Sequence, residues 1–211
     1  MENTYALVKE AICALLKNGA QLEAAPFQIF CAPDTFEAAT ALPLALQIPA
    51  EFLAQRLAVF DRTVPQTLYG AKLVERVFQS EGRLCFSLTD AFFNAAVRQT
   101  NALSLLPSLP PRVESRAEYA LSRMLMLARK GGDGCEKEAR HMVWSALGIL
   151  ERLDDPKALK IRLKLAAEHA LSFGENLPLK DRMALYDKSG QACACAARCI
   201  GAALAALEST V

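Results

Sequence analysis

The sequence carries almost no excess charge of either sign: 24 Lys and Arg stand against 23 Asp and Glu, a formal net charge of +1. So close a balance provides no overall field of the kind that draws a protein onto polyanions. Long apolar runs are missing as well, none approaching the roughly 18 uncharged residues that a membrane-spanning helix needs. The opening stretch MENTYALVKEAICALL is acidic and amphipathic, with no basic start and no small-residue cleavage site. No secretion leader is therefore expected, and the chain reads as cytoplasmic. Histidine is scarce, with only His141 and His169, each a lone residue at helical spacing. No P-loop, dinucleotide fingerprint, nucleophile elbow, H-E-x-x-H or paired-acid signature occurs, so no enzyme active site is visible.

What is present is apolar material: 53% of the 211 residues are hydrophobic. That is enough to bury one or two cores and to exclude a disordered chain. The cysteines are odd in number (7), which without a leader points to reduced, mostly buried thiols. Only Cys193, Cys195 and Cys199 cluster. On a helix Cys195 and Cys199 share a face while Cys193 points about 160° away, and no fourth ligand accompanies them. Neither a metal nor another cofactor is expected.

One composition break organises the chain. Asn101–Arg112, NALSLLPSLPPR, holds Pro107, Pro110 and Pro111 and no acid, and reads as an extended linker. Before it, the pattern is mixed. Apolar side chains repeat at helical spacing over 3–18, Pro26–Cys31 reads as a short strand, and Asp34 as the cap of a helix carrying Phe36 and Ala39, bent or broken at Pro43. Pro49 opens another helix. Lys72–Phe78 and Arg83–Leu88 alternate as two strands around Ser80–Gly82, a hairpin signal, and Thr89 or Asp90 caps the next helix. Residues 1–100 thus read as an α+β domain, helices on a small antiparallel sheet. Residues 113–211 read as helices alone: Val113–Lys130 ending at Gly131-Gly132, Cys135–Leu153, about 156–173, and a last helix after Pro178.

Charge divides with the composition. Residues 1–105 carry 8 basic and 10 acidic side chains, and residues 106–211 carry 16 and 13. On the first helix after the linker, Val113, Ala117, Ala120, Met124 and Ala128 form an apolar arc. Arg112, Arg116, Tyr119, Arg123 and Lys130 fall within about 60° of one another, away from that arc. Such a stripe can meet successive phosphates, with Tyr119 stacking on an unpaired base, or can simply be a solvated face. Lys157, Lys160 and Lys164 share a second face further on.

These residues carry a resemblance. Ala117–Gly132, AEYALSRMLMLARKGG, is similar to the opening helix of the DALR anticodon-binding domain of arginyl-tRNA synthetases (V-Q-Y-A-H-A-R-I-x-S-I-L-R-K-A). Leu165–Leu179 resembles that family's L-A-Q-A-F-N-R-F-Y-x-x-C-P-V-L, and Arg182–Asp187 its R-L-A-L-V-D. Leu73–Phe86 resembles a stretch of the same enzymes' N-terminal additional domain, I-E-K-V-E-V-A-G-P-G-F-I-N-F, keeping Gly82 and Phe86. Between these modules the synthetases carry a catalytic domain with H-x-G-H and K-M-S-K-S motifs; here only the linker stands there. Cys85 and Arg83 replace the family's Asn and first Phe, and Leu171 and Gly174 stand where it has Asn and Tyr. The resemblance implies a non-catalytic protein, an additional-domain-like unit joined to an all-α DALR-type bundle, that binds tRNA or other structured RNA. It implies phosphate contacts from Arg112, Arg116, Arg123, Lys130, Lys157, Lys160 and Lys164, stacking by Tyr119, and Arg83 and Phe86 on the D-loop side. About six such contacts give a log–log salt slope of roughly −5. The alternative is a degenerate synthetase fragment that docks onto another protein, such as a synthetase or a tRNA-modifying enzyme. That reading predicts an exposed apolar patch.

Overall fold

The computed structural model describes residues 3–22 and 37–209. It is a mixed α and β chain with a small antiparallel sheet and a wholly helical C-terminal region. The chain divides into two compact units, one Tyr5–Ala95 and the other Met1–Thr4 with Ala96–Val211.

The first unit begins with α1 (Thr4–Ala20), matching the expected 3–18 periodicity, and buries Tyr5, Val8, Ile12, Leu15 and Leu16. The strand read at Pro26–Cys31, the Asp34 cap and Phe36 lie outside the described residues. Ala39 is not helical as expected. Ala38–Thr40 is a strand, β1, followed by the short helix α2 (Leu42–Leu46), with Pro43 in its first turn. The two alanines favour helix and only Thr40 favours strand, so it is pairing that decides their conformation. That pairing is Ala38 with Phe86, Ala39 with Cys85 and Thr40 with Leu84.

Pro49 caps α3 (Ala50–Thr63) as the sequence suggests. The strand expected over Lys72–Phe78 divides in two. Ala71–Lys72 (β3) pairs with Thr67–Leu68 (β2), and Val74–Ser80 (β4) pairs with Arg83–Leu88 (β5). Both turn residues of the hairpin, Glu81 and Gly82, have positive φ (50° and 73°), the handedness a two-residue hairpin turn requires. The sheet order is β1-β5-β4, so β5 is its middle strand, and both α2 and α3 pack against it. The Thr89 hydroxyl accepts the Phe92 N–H at 3.0 Å and caps α4 (Asp90–Leu103).

In the second unit the first prolines fall only at 107 and beyond, so residues 101–103 of the expected linker remain helical as the end of α4. The segment that follows is tied to the unit's last helix: the Ser104 carbonyl accepts the Arg198 Nε–H at 2.7 Å. Helix α5 (Arg116–Ala128) opens on a capping box in which Ser115 and Glu118 satisfy each other's backbone N–H groups. Residues 137–151 form α6 (Arg140–Leu147) between two 3₁₀ turns, shorter than the helix expected over Cys135–Leu153. Asp155 accepts the Lys157 and Ala158 N–H groups and Pro156 begins α7 (Pro156–Ser172), as its sequence predicts.

The single last helix expected after Pro178 is two, α8 (Leu179–Lys188) and α9 (Gly190–Glu208). The break has a packing cause. The loop after α5 lies against the joint, with the Gln191 N–H donating to the Gly132 carbonyl at 3.0 Å and the Gly134 N–H to the Lys188 carbonyl at 3.2 Å. Helix α9 is apolar and long enough, by length and composition, to cross a membrane. Here α5, α6 and α7 pack around it, and its small residues (Ala192, Cys193, Ala196, Ala197, Ala203) are buried.

Candidate nucleic-acid interface

The apolar arc predicted for α5 is partly realised: Ala120 and Met124 are buried, Ala117 and Ala128 are half-buried, and Val113 precedes the helix and is 51% exposed, while Leu121, Leu125 and Leu127, outside that arc, are buried too. The opposite stripe is where sequence and structure diverge. Arg123 does not present its charge to solvent. One terminal nitrogen donates to the Leu171 carbonyl at 2.5 Å and reaches the Glu175 carboxylate at 3.2 Å. The other donates to the Phe173 carbonyl at 3.0 Å and to the Tyr186 hydroxyl at 2.7 Å. The Tyr186 hydroxyl in turn donates to the Phe173 carbonyl at 3.0 Å. Arg123 therefore fastens the α7–α8 connection over the middle of the stripe. A guanidinium suits this task because its planar fork serves several acceptors at once. Lys130 is committed too, through an ion pair of 3.0 Å with Asp187 on α8.

The N-terminal part of the stripe is open. Arg112 and Arg116 are exposed and make no side-chain hydrogen bond or ion pair among the described residues, and Tyr119 is 57% exposed. The same holds for Lys157, Lys160 and Lys164 on α7, which flank the 72% exposed Ile161. In the other unit, Arg83 is exposed at the hairpin turn. Phe86 is fully buried in β5 and is corrected from contact residue to core residue. A middle strand with helices packed on it has no solvent side on which to present a ring.

Arg182, Glu175 and Tyr186 were not among the expected site residues. Arg182 donates to the Glu175 and Leu177 carbonyls, so two arginines hold one loop. Its place at the head of Arg182–Asp187 was the only available signal.

The cysteine cluster sits at the centre of the helical unit, with Cys193, Cys195 and Cys199 all fully buried. Burial pushes the Cys193 thiol up to about 12, and Cys199 is raised by its hydrogen bond with Cys195 and by burial. Among the described residues no group of three or more His, Cys, Asp or Glu is placed to hold a metal ion. A thiol that stays protonated at neutral pH is a poor nucleophile. Because all three are fully buried, iodoacetamide at pH 8 is expected to leave these cysteines unmodified in the folded protein and to alkylate them once it is unfolded in guanidinium. Mass mapping of the peptides distinguishes the two states, and an adduct on Cys193 without denaturant would contradict the burial described.

Compared with protein-family models, curated proteins and solved structures, the chain matches none of them.

Proposed function

We propose that this chain is a non-catalytic, arginyl-tRNA-synthetase-like protein whose helical unit, of DALR type, binds tRNA or another structured RNA. The observation that carries the reading is a set of exposed, uncommitted cations, Arg116 on α5 and Lys157, Lys160 and Lys164 on α7, with Tyr119 exposed one turn along α5 from Arg116. A cation already bonded within the protein must give up those bonds to serve a phosphate. Lysines and arginines without such partners contribute their counterion release in full. Tyr119 supplies an apolar ring with which an unpaired base can stack, and stacking tolerates any base identity. Arg112 is exposed as well but lies close to carboxylates, so four or five phosphate contacts are available.

Four or five contacts give a log–log salt slope of about −4, shallower than the whole stripe would give. Fluorescence anisotropy with a labelled tRNA transcript, titrated from low to moderate salt, measures that slope. The double variant Arg116→Glu, Lys160→Glu is expected to lower it by about two. Tyr119→Ala is expected to weaken binding about tenfold or more with little change in slope, because stacking is not an ionic contact. Absence of detectable binding at the lowest salt would sink the reading. Equal binding by Tyr119→Ala would remove the stacking role alone.

A further inference from the structure

The proline-rich segment does not stand away from the helical unit. A Cβ placed on Gly201 of α9 would lie 2.8 Å from the Pro107 ring, so the segment runs directly over that helix. Between this segment, the start of α5 and the end of α9 lies a cavity of about 510 Å³. That volume falls within the range of sites that take small molecules or a few peptide side chains. Leu109, Leu121, Leu204 and Ala205 supply its apolar lining. Its charged residues are Glu114, Glu118 and Glu208 against Arg112 alone. The Glu118 carboxylate is engaged by the Glu114 and Ser115 N–H groups at 2.7 and 2.6 Å. Glu114 and Glu208 are exposed, and their carboxylates have no partner among the described residues.

Next to this groove the apolar side chains continue outward. Leu105 is 93% exposed, and Leu103, Leu106 and Val113 are each about half exposed. Scattered surface leucines need no explanation, but a run of them contiguous with an apolar groove marks a contact surface. The excess of carboxylates disfavours a phosphate and favours a cation beside the apolar contact.

We propose that this groove docks a short segment of a partner protein that carries large apolar side chains flanked by lysine or arginine. Leucine-like side chains would occupy the cavity and cover the exposed leucines, while the flanking cations would pair with Glu114 and Glu208. Arg112 lines this groove as well as being the fifth cation offered to RNA, so the two sites meet at that residue.

The probe is a phage-displayed library of random dodecapeptides, panned in parallel on the wild-type chain, on Ala205→Arg and on Glu114→Lys, Glu208→Lys. Ala205 is exposed, and an arginine there adds bulk to the groove and a positive charge that repels the cations of the peptide. The wild type is expected to enrich peptides combining Leu, Ile, Phe or Met with Lys or Arg. Synthetic copies of these should bind about tenfold more weakly or worse to Ala205→Arg in anisotropy titrations. The charge-reversed pair should instead enrich acidic flanks. No enrichment over Ala205→Arg, or enrichment without a basic bias, overturns the proposal. Sedimentation showing a self-association that Ala205→Arg dissolves also overturns it, because the occupant is then a second copy. Should Ala205→Arg fail to fold, the charge-reversed pair carries the comparison, since both its residues are exposed. Transfer-RNA affinity unchanged in Ala205→Arg would show that the two sites work independently although they share Arg112.

Discussion

Replacing Arg123 by alanine is expected to destabilise the helical unit by about 3 kcal/mol, because it removes several charge-assisted hydrogen bonds and strands their acceptors. The carbonyls of Leu171 and Phe173 are main-chain groups and cannot be replaced by another rotamer; Tyr186 is buried and its hydroxyl oxygen loses the donor it accepts from. The Arg123 side chain is only 22% exposed, so water cannot restore all of these bonds. For a unit of this size the loss corresponds to a melting temperature lower by about 10 °C. Arg123→Lys should recover little of it, since a single ammonium cannot reproduce the fork. Calorimetry of the two variants measures both effects. A melting point within about 2 °C of wild type for Arg123→Ala would show that the loop is held without it and return Arg123 to the set of available cations. The consequence for RNA binding is specific. Any loss of affinity in Arg123→Ala should follow the loss of fold, whereas in Arg116→Glu it should occur with the fold intact.

Arg123 also shows how far the sequence could be read. Helical spacing correctly predicts the direction in which its side chain leaves α5, because 100° per residue is a property of any helix. It says nothing about what crosses that face. The acceptors lie some 50 to 60 residues away, and two of the four are backbone carbonyls, which every residue possesses and which leave no trace in composition. Lys130 and Asp187 at least have opposite charges to propose their pairing, but nothing local brings α8 to the end of α5.

Local chemistry succeeded where it was sufficient. Asp155-Pro156 starts α7, Ser80–Gly82 turns the hairpin, and Thr89 caps α4, each through a bond within a few residues. It failed where tertiary contact chose the conformation. Ala38–Thr40 is strand only because β5 lies beside it, with the Glu37 carboxylate also accepting the Leu88 N–H at 2.9 Å. The resemblance alone places Phe86 on a solvent face, yet Leu84, Cys85 and Phe86 are buried in succession. A middle strand under helices has no such face.

Gly190→Ala should be the most damaging small substitution in the helical unit. In an ordinary helix the same change adds about 0.5–1 kcal/mol of stability by restricting the unfolded chain. Here the added methyl would overlap the Gly131 carbonyl, a backbone group that cannot rotate out of the way. Gly132→Ala meets a similar obstruction from the Asp187 and Lys188 backbone and adds the strain of a φ of 82°. Gly131→Ala shares that φ of 82° but meets nothing within 4 Å. The three variants therefore separate conformational strain from close approach within a single joint. Gly131→Ala should cost about 1–2 kcal/mol, the left-handed penalty alone. Gly190→Ala and Gly132→Ala should each cost about 4 kcal/mol or more, because the loop must part from the α8–α9 joint and give up the bonds between Gln191 and Gly132 and between Gly134 and Lys188. Urea unfolding monitored through Trp144, buried on α6, is a suitable readout. Equal effects of Gly131→Ala and Gly132→Ala would mean that the left-handed backbone conformation alone matters at that turn. If Gly190→Ala raises stability, the loop is not seated on the joint at all.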